Sequence, residues 1–118
     1  MDLTTLRTRC ATRFRDAGFD VVASADWTGY LNDAYRDVLG AEPYWPFLDA
    51  GTTPADLAAN GDSPTFDSRW HNILVEGALY RAYLDDGNAE QAGVHKTEFG
   101  TQLDDMRSAL LRGRRRSQ

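Results

Sequence analysis

The chain has 118 residues, 42% of them hydrophobic and 26% charged, with a net charge of −5 at pH 7. That length fits one domain that buries about 65% of its unfolded surface, so one core without staples is feasible, and the composition is that of a globular protein. The lone cysteine, Cys10, excludes an intramolecular disulfide and a cysteine metal cluster, no apolar run nears the ~20 residues of a membrane span, and Met1–Arg7 has no signal-peptide core, so the cytosol is the expected compartment.

The first predicted helix runs from Leu3 to about Ala17. Leu3, Leu6, Cys10, Phe14 and Ala17 recur every three or four residues and make one apolar stripe. Asp2 suits its N-cap and Gly18 its C′ position. Cys10 then reads as a small buried hydrophobe. Arg7, Arg9, Arg13 and Arg15 fall on the remaining surface, either solvated or available to an acidic neighbour.

The second helix is capped by Ser24. Trp27, Tyr30, Leu31, Ala34, Tyr35, Val38 and Leu39 follow helical spacing without a miss, and Gly40 ends it. Asp33, Arg36 and Asp37 sit on its wet side. From Ala41 to Phe66, Pro43, Pro46, Pro54 and Pro64 forbid a long helix and disfavour a central strand. Thr53-Pro54 can open a short helix through Ala59. A segment this long needs anchoring, and Trp45, Phe47, Leu48 and Leu57 are the candidates.

The third helix is expected to start between Ser63 and Ser68, with Pro64 in its first turn. Trp70, Ile73, Leu74, Gly77, Ala78, Arg81 and Ala82 share a stripe that Tyr80, Tyr83 and Leu84 widen, so this helix is central. Gly77-Ala78 offers a smooth patch for close helix approach. Asp85-Asp86-Gly87-Asn88 is a turn. The fourth helix begins near Asn88, with Gln91 in a capping-box position, and runs to about Arg112 along Ala92, His95, Phe99, Leu103, Met106 and Leu110. Gly113 and the arginine run then leave it. With no strand pattern or repeat, the expected fold is all-α: a compact bundle of about four helices over residues 1–111, a Pro/aromatic-rich connecting segment, and a basic tail over 112–118.

No catalytic or cofactor constellation emerges. His71 and His95 fall on different helices without a carboxylate at metal-ligand spacing, and both read as structural or exposed. No glycine-rich loop follows a strand. The Asp85–Asn88 turn lacks the alternating oxygens and closing glutamate of a calcium loop. Asp104 and Asp105 are adjacent on a helix, point in different directions, and cannot share a substrate proton. Residues 1–111 carry −9, because Arg112, Arg114, Arg115 and Arg116 stand in the last seven positions. An acidic body binds nucleic-acid backbone poorly, and a basic tail suits a different partner from the body.

The stretch "WTGYLNDAYRDVLGAEPYWPFLDA" resembles tailed-phage head–tail connector adaptors. In these, a helix carries a tryptophan (here Trp27), then a "Leu/Ile-Asn-x-Ala-Tyr" core (Leu31-Asn32-Asp33-Ala34-Tyr35), then "Trp-Pro-Phe" (Trp45-Pro46-Phe47). The later "WHNILVEGALYRAYLDDGNAEQAGVHKTEFGTQLDDMRSAL" is also similar, and the likeness spans about residues 3–111. Many members carry β-strands after the aromatic element. Here Asp49 to Ser63 is too short for a small sheet, which suggests a compact helical version.

The resemblance implies a non-enzymatic virion protein of the head–tail neck, assembled in the host cytoplasm and needing no cofactor or metal. Its partners would be the portal protein, the next neck or tail protein (a stopper or tail terminator), and copies of itself in a ring, usually of twelve subunits, through which DNA passes without sequence-specific binding. A head-to-tail ring needs two different patches per subunit. Arg9 and Arg13 on one side, and Asp104-Asp105 or Asp33-Asp37 on the other, are the candidates. Trp45, Pro46 and Phe47, with Trp27, Tyr35 and Trp70, either pack the core or dock to the portal or a neighbour; core packing under the second and fourth helices is the favoured reading. The arginine tail is a solvated terminus, an insertion into an acidic portal groove, or a contact to packaged DNA. The competing function is a small helical DNA-binding or packaging protein that uses this tail.

Overall fold

A computed structural model of the chain describes residues 1–15, 18, 21–42, 45–48 and 54–116, the last five of these through their backbone only. The elements are α1 (Leu3–Arg13), α2 (Ser24–Ala41), a 3₁₀ turn (Ser68–Trp70), α3 (Asn72–Asp85) and α4 (Ala89–Arg116). Among the described residues there is no strand, so the fold is all-α.

The helix ends depart from expectation in instructive ways. Asp2 caps α1 as its spacing requires, accepting from the Thr5 amide at 2.9 Å. The helix nevertheless stops at Arg13, and Gly18 plays no part in stopping it. Arg15 takes the left-handed conformation itself, at φ 62, just after the Phe14 cap. The Phe14 amide still closes on Cys10. Ala17 lies outside the described residues. At α2, Ala23 and not Ser24 is the N-cap, and its backbone carbonyl accepts from the Asp26 and Trp27 amides.

The expected helix after Pro54 does not form over the described residues 54–59. Its amides are committed elsewhere: Leu57 donates to the Asn32 side chain, and Ala58 and Ala59 donate to the Asp62 carboxylate. Thr53 lies outside the described residues. The third helix starts later than expected, at Asn72. Asp67 first caps the 3₁₀ turn by accepting from the Arg69 amide, and Pro64 precedes it as a buried loop residue.

Between α3 and α4 the turn is a Schellman motif. Gly87 sits at φ 80, its amide closes on Leu84, and the Asn88 amide closes on Tyr83. Asn88 then caps α4 through its side chain, which accepts from the Gln91 amide at 3.2 Å. At the far end α4 continues through Gly113 to Arg116 instead of ending near Arg112. Arginine is a good helix former, cations are favoured at a helix C-terminus, and one glycine costs only about 1 kcal/mol.

α3 is the centre of the molecule. It packs against the other three helices, whereas α1 rests on α2 and α3. Its residues Ile73, Leu74, Val75, Ala78, Leu79 and Ala82 are all buried. Leu84, expected to widen this surface, instead faces solvent at 50% exposure. A Cβ at Gly77 would meet Ala34 Cβ at 2.7 Å and the Phe99 ring at 3.0 Å, so α2 and α4 both close on that one position. The smooth patch is used by two helices at once.

Candidate functional site

Of the aromatic segment after α2, Trp45 is part of the core and Phe47 packs against it. Trp45 is 1% exposed and its indole N–H donates to the Val38 carbonyl at 2.7 Å. Val38 lies in the last turn of α2, where carbonyls lack helical donors, so Trp45 closes the helix it follows. Pro46 is exposed. Phe47 is half-buried and stacks on Trp45, with ring centroids 5.5 Å apart, and leans on Phe66 at 5.4 Å. Phe47, Phe66, Pro46 and Trp70 wall a cleft of about 270 Å³ that also touches Leu110 of α4. Trp27 is fully buried on α2 against Phe14 and Tyr30, and Tyr35 is buried against Phe66. Trp70 is half-buried in the 3₁₀ turn. The indole nitrogens of Trp27 and Trp70 have no hydrogen-bond partner among the described residues.

Two anchors of the connecting segment were not apparent from sequence spacing. Asn32 is buried and makes a double bond pattern with Leu57, donating to its carbonyl at 2.9 Å and accepting from its amide at 2.8 Å. One helical turn on, the Tyr35 hydroxyl accepts from the Thr65 amide at 2.9 Å. The Asn-x-Ala-Tyr quartet is therefore used in full: two residues hold the returning chain and Ala34 faces Gly77. The second omission is Glu76, 3% exposed in the middle of the apolar run of α3. One carboxylate oxygen accepts from Arg13 of α1 at 2.5 Å, the other from His95 Nδ1 of α4 at 2.6 Å. His95 also stacks flat on Tyr83. A lone acid inside Ile73–Leu79 was the available signal, since a buried carboxylate requires partners.

Most of the charges expected to face a neighbour are satisfied within the chain. Arg13 belongs to Glu76. Asp37 pairs with Arg81, and Asp33 lies between Arg36 at 3.4 Å and Arg81 at 4.0 Å. Arg36 also holds Asp56. Asp104 pairs with Arg107 at 3.0 Å. Arg9 and Asp105 remain, exposed and, among the described residues, without a hydrogen-bond, ion-pair or ring partner. Arg9 lines a groove of about 600 Å³ with Thr4, Thr5, Thr8, Thr12 and Arg13 of α1 and Asn72 of α3. The backbone of Arg112, Arg114, Arg115 and Arg116 continues α4 beyond Leu111, which is buried; their side chains lie outside what is described.

Cys10 is fully buried beside Glu76, and burial pushes its thiol up to about 12, so it stays protonated and inert. His71 donates its Nε2 proton to the Phe66 carbonyl at 2.7 Å, which ties both histidines into the structure. Among the described residues no group of three or more His, Cys, Asp or Glu is placed to hold a metal ion, and no helix is long and apolar enough to cross a membrane.

No curated protein and no solved structure matches the chain. Residues 48–118 match the family model of the SU10 adaptor protein. That segment holds α3, α4, the Trp70 cleft wall and the whole arginine run, more than half of the chain, and the chain therefore belongs to the SU10 adaptor family of phage head–tail adaptors.

Proposed function

We propose that this structural, non-catalytic protein forms a head-to-tail ring beneath the phage portal, usually twelve subunits in such adaptors, and joins the portal to the next neck or tail protein. DNA passes through the ring without being read. The arginines at the end of α4 are the portal contact, inserted into an acidic groove. One observation carries this reading: the family match includes all of α4, whose 28 residues continue beyond Leu111, the last described buried side chain, and end in the chain's densest positive charge. At ~1.5 Å per residue that helix is about 42 Å long, long enough to lean on the bundle at one end and present its cations at the other.

The test is the mass of the purified protein alone and after mixing with its cognate portal. A defined portal-bound ring is the expected result. Indifference to the portal, together with a salt-dependent shift of DNA, overturns it in favour of a DNA-binding tail. Four arginines against phosphates would give a salt slope of at most about −4.

A further inference from the structure

We propose that neighbouring copies meet through the outward face of α1 on one subunit and the outward face of α4 on the next, with Arg9 opposite Asp105. This rests on the ring reading above and names the two patches that such a ring needs.

The starting point is the charge inventory. Within the chain, Arg13, Arg36, Arg81 and Arg107 pair with Glu76, Asp33, Asp56, Asp37 and Asp104. Arg13–Glu76 and Arg81–Asp37 tie helices together, Arg36–Asp56 ties α2 to the connecting segment, and Arg36–Asp33 and Arg107–Asp104 are closed within one helix, so these charges are poor candidates for a partner. Of the charges expected at an interface, Arg9 and Asp105 are left over, one on each of two different helices. A ring requires unlike patches of this kind, because the same patch on both copies would close a dimer instead.

The surfaces around them are suited to helix packing. On α1, Leu3, Leu6, Cys10 and Ala11 face the core, so Thr5, Thr8, Arg9 and Thr12 point the other way at 100° per residue. They border the groove that Asn72 closes on the α3 side. On α4, Ala92, Leu103 and Met106 are buried, and Val94, Glu98, Thr101, Asp105 and Ser108 form an exposed stripe at steps of four and three. That is the spacing at which one helix seats against another. Val94 is 51% exposed, an apolar side chain for a groove wall. Threonine and serine on both faces keep the backbones within close reach. The α1 face brings a cation; the α4 stripe brings two anions, Glu98 and Asp105. A second copy supplies that complement without any further partner.

Charge reversal tests the pairing, with assembly on the portal followed by mass and the fold by circular dichroism and urea midpoint. Arg9→Glu and Asp105→Arg should each leave the fold unchanged and raise the concentration for half-maximal ring formation about tenfold or more. The double variant R9E/D105R should return to within about threefold of the parent, as a direct pair demands. Single variants that assemble like the parent, or a double variant worse than either, overturn the interface while leaving the ring itself standing. A parent protein that forms no ring on the portal overturns both. Normal rings from R9E with a lost DNA affinity also overturn it, and identify the α1 groove as a phosphate contact.

Discussion

Trp45 and Trp27 are both fully buried indoles, yet only the Trp45 nitrogen has a partner. Replacing Trp45 by alanine should destabilise the monomer by about 3–5 kcal/mol, the cost of a large core truncation. Phenylalanine separates packing from hydrogen bonding. At position 45 it also leaves the Val38 carbonyl without its donor, a further loss of about 1–3 kcal/mol. At position 27 it removes an indole N–H that had no partner, so only the packing loss remains. Urea unfolding should therefore rank W45F well below W27F; equal midpoints would mean that the Val38 bond contributes nothing. Gly77 is a second single-residue constraint. Alanine gains about 1 kcal/mol of helix propensity there, but its Cβ would sit 2.7 Å from Ala34 Cβ, and overpacking costs about 1–3 kcal/mol. The expected net loss should shrink when Ala34→Gly is added, and an additive double variant would show that α2 and α3 do not meet at that point.

Helices in this chain were legible because a buried stripe must repeat every three or four residues, and Trp27 to Leu39 or Ala92 to Leu110 does so without interruption. Their ends were less legible. A cap needs one residue with the right backbone angles, and Ala23 and Arg15 supply those angles although Ser24 and Gly18 have the better side chains for the task. The clips from Asn32 to Leu57 and from Tyr35 to Thr65 leave no periodic trace at all, since each joins a helix to irregular chain far along the sequence. Asn32→Asp measures such a clip: a carboxylate would face the Leu57 carbonyl in a buried site, and about 2–3 kcal/mol of stability should be lost. The entry to α3 adds a pH dependence. Burial holds the His71 imidazole below its ordinary 6.5. The unfolded chain then binds a proton that the folded chain resists, so this stability is complete above pH 6.5 and is lost as the pH falls below it. Asp2 and Asp62, held below 3.8 by backbone N–H donors, lose theirs only in more acid solution. Stability should fall between pH 7 and pH 5, and His71→Gln, which keeps a donor for Phe66, should flatten that fall. An unchanged slope would assign the loss to another group.

For the whole molecule, the governing feature is the separation of charge: −9 over residues 1–111 and four arginines in the last seven. Leu111 is the last described buried residue of α4, and the helix backbone continues from it to Arg116. On the reading that these arginines serve the portal and not the core, removing 112–118 shortens only the end of α4, and the truncated protein should unfold within about 0.5 kcal/mol of the parent, as surface changes do. With the arginines seated in an acidic portal groove, as proposed above, binding to the portal should change far more. Long-range attraction to that groove accelerates encounter and fades as salt screens it over about 8–10 Å. The parent should therefore bind the portal more slowly as ionic strength rises, and the truncated protein should bind slowly at every salt concentration. Association rates measured across a salt series for both proteins decide the matter. Parallel curves would place the portal contact on the helical body and leave the arginines a solvated end, whereas a salt-dependent gap that closes at high ionic strength is the result expected of an arginine-bearing helix end seated in an acidic groove.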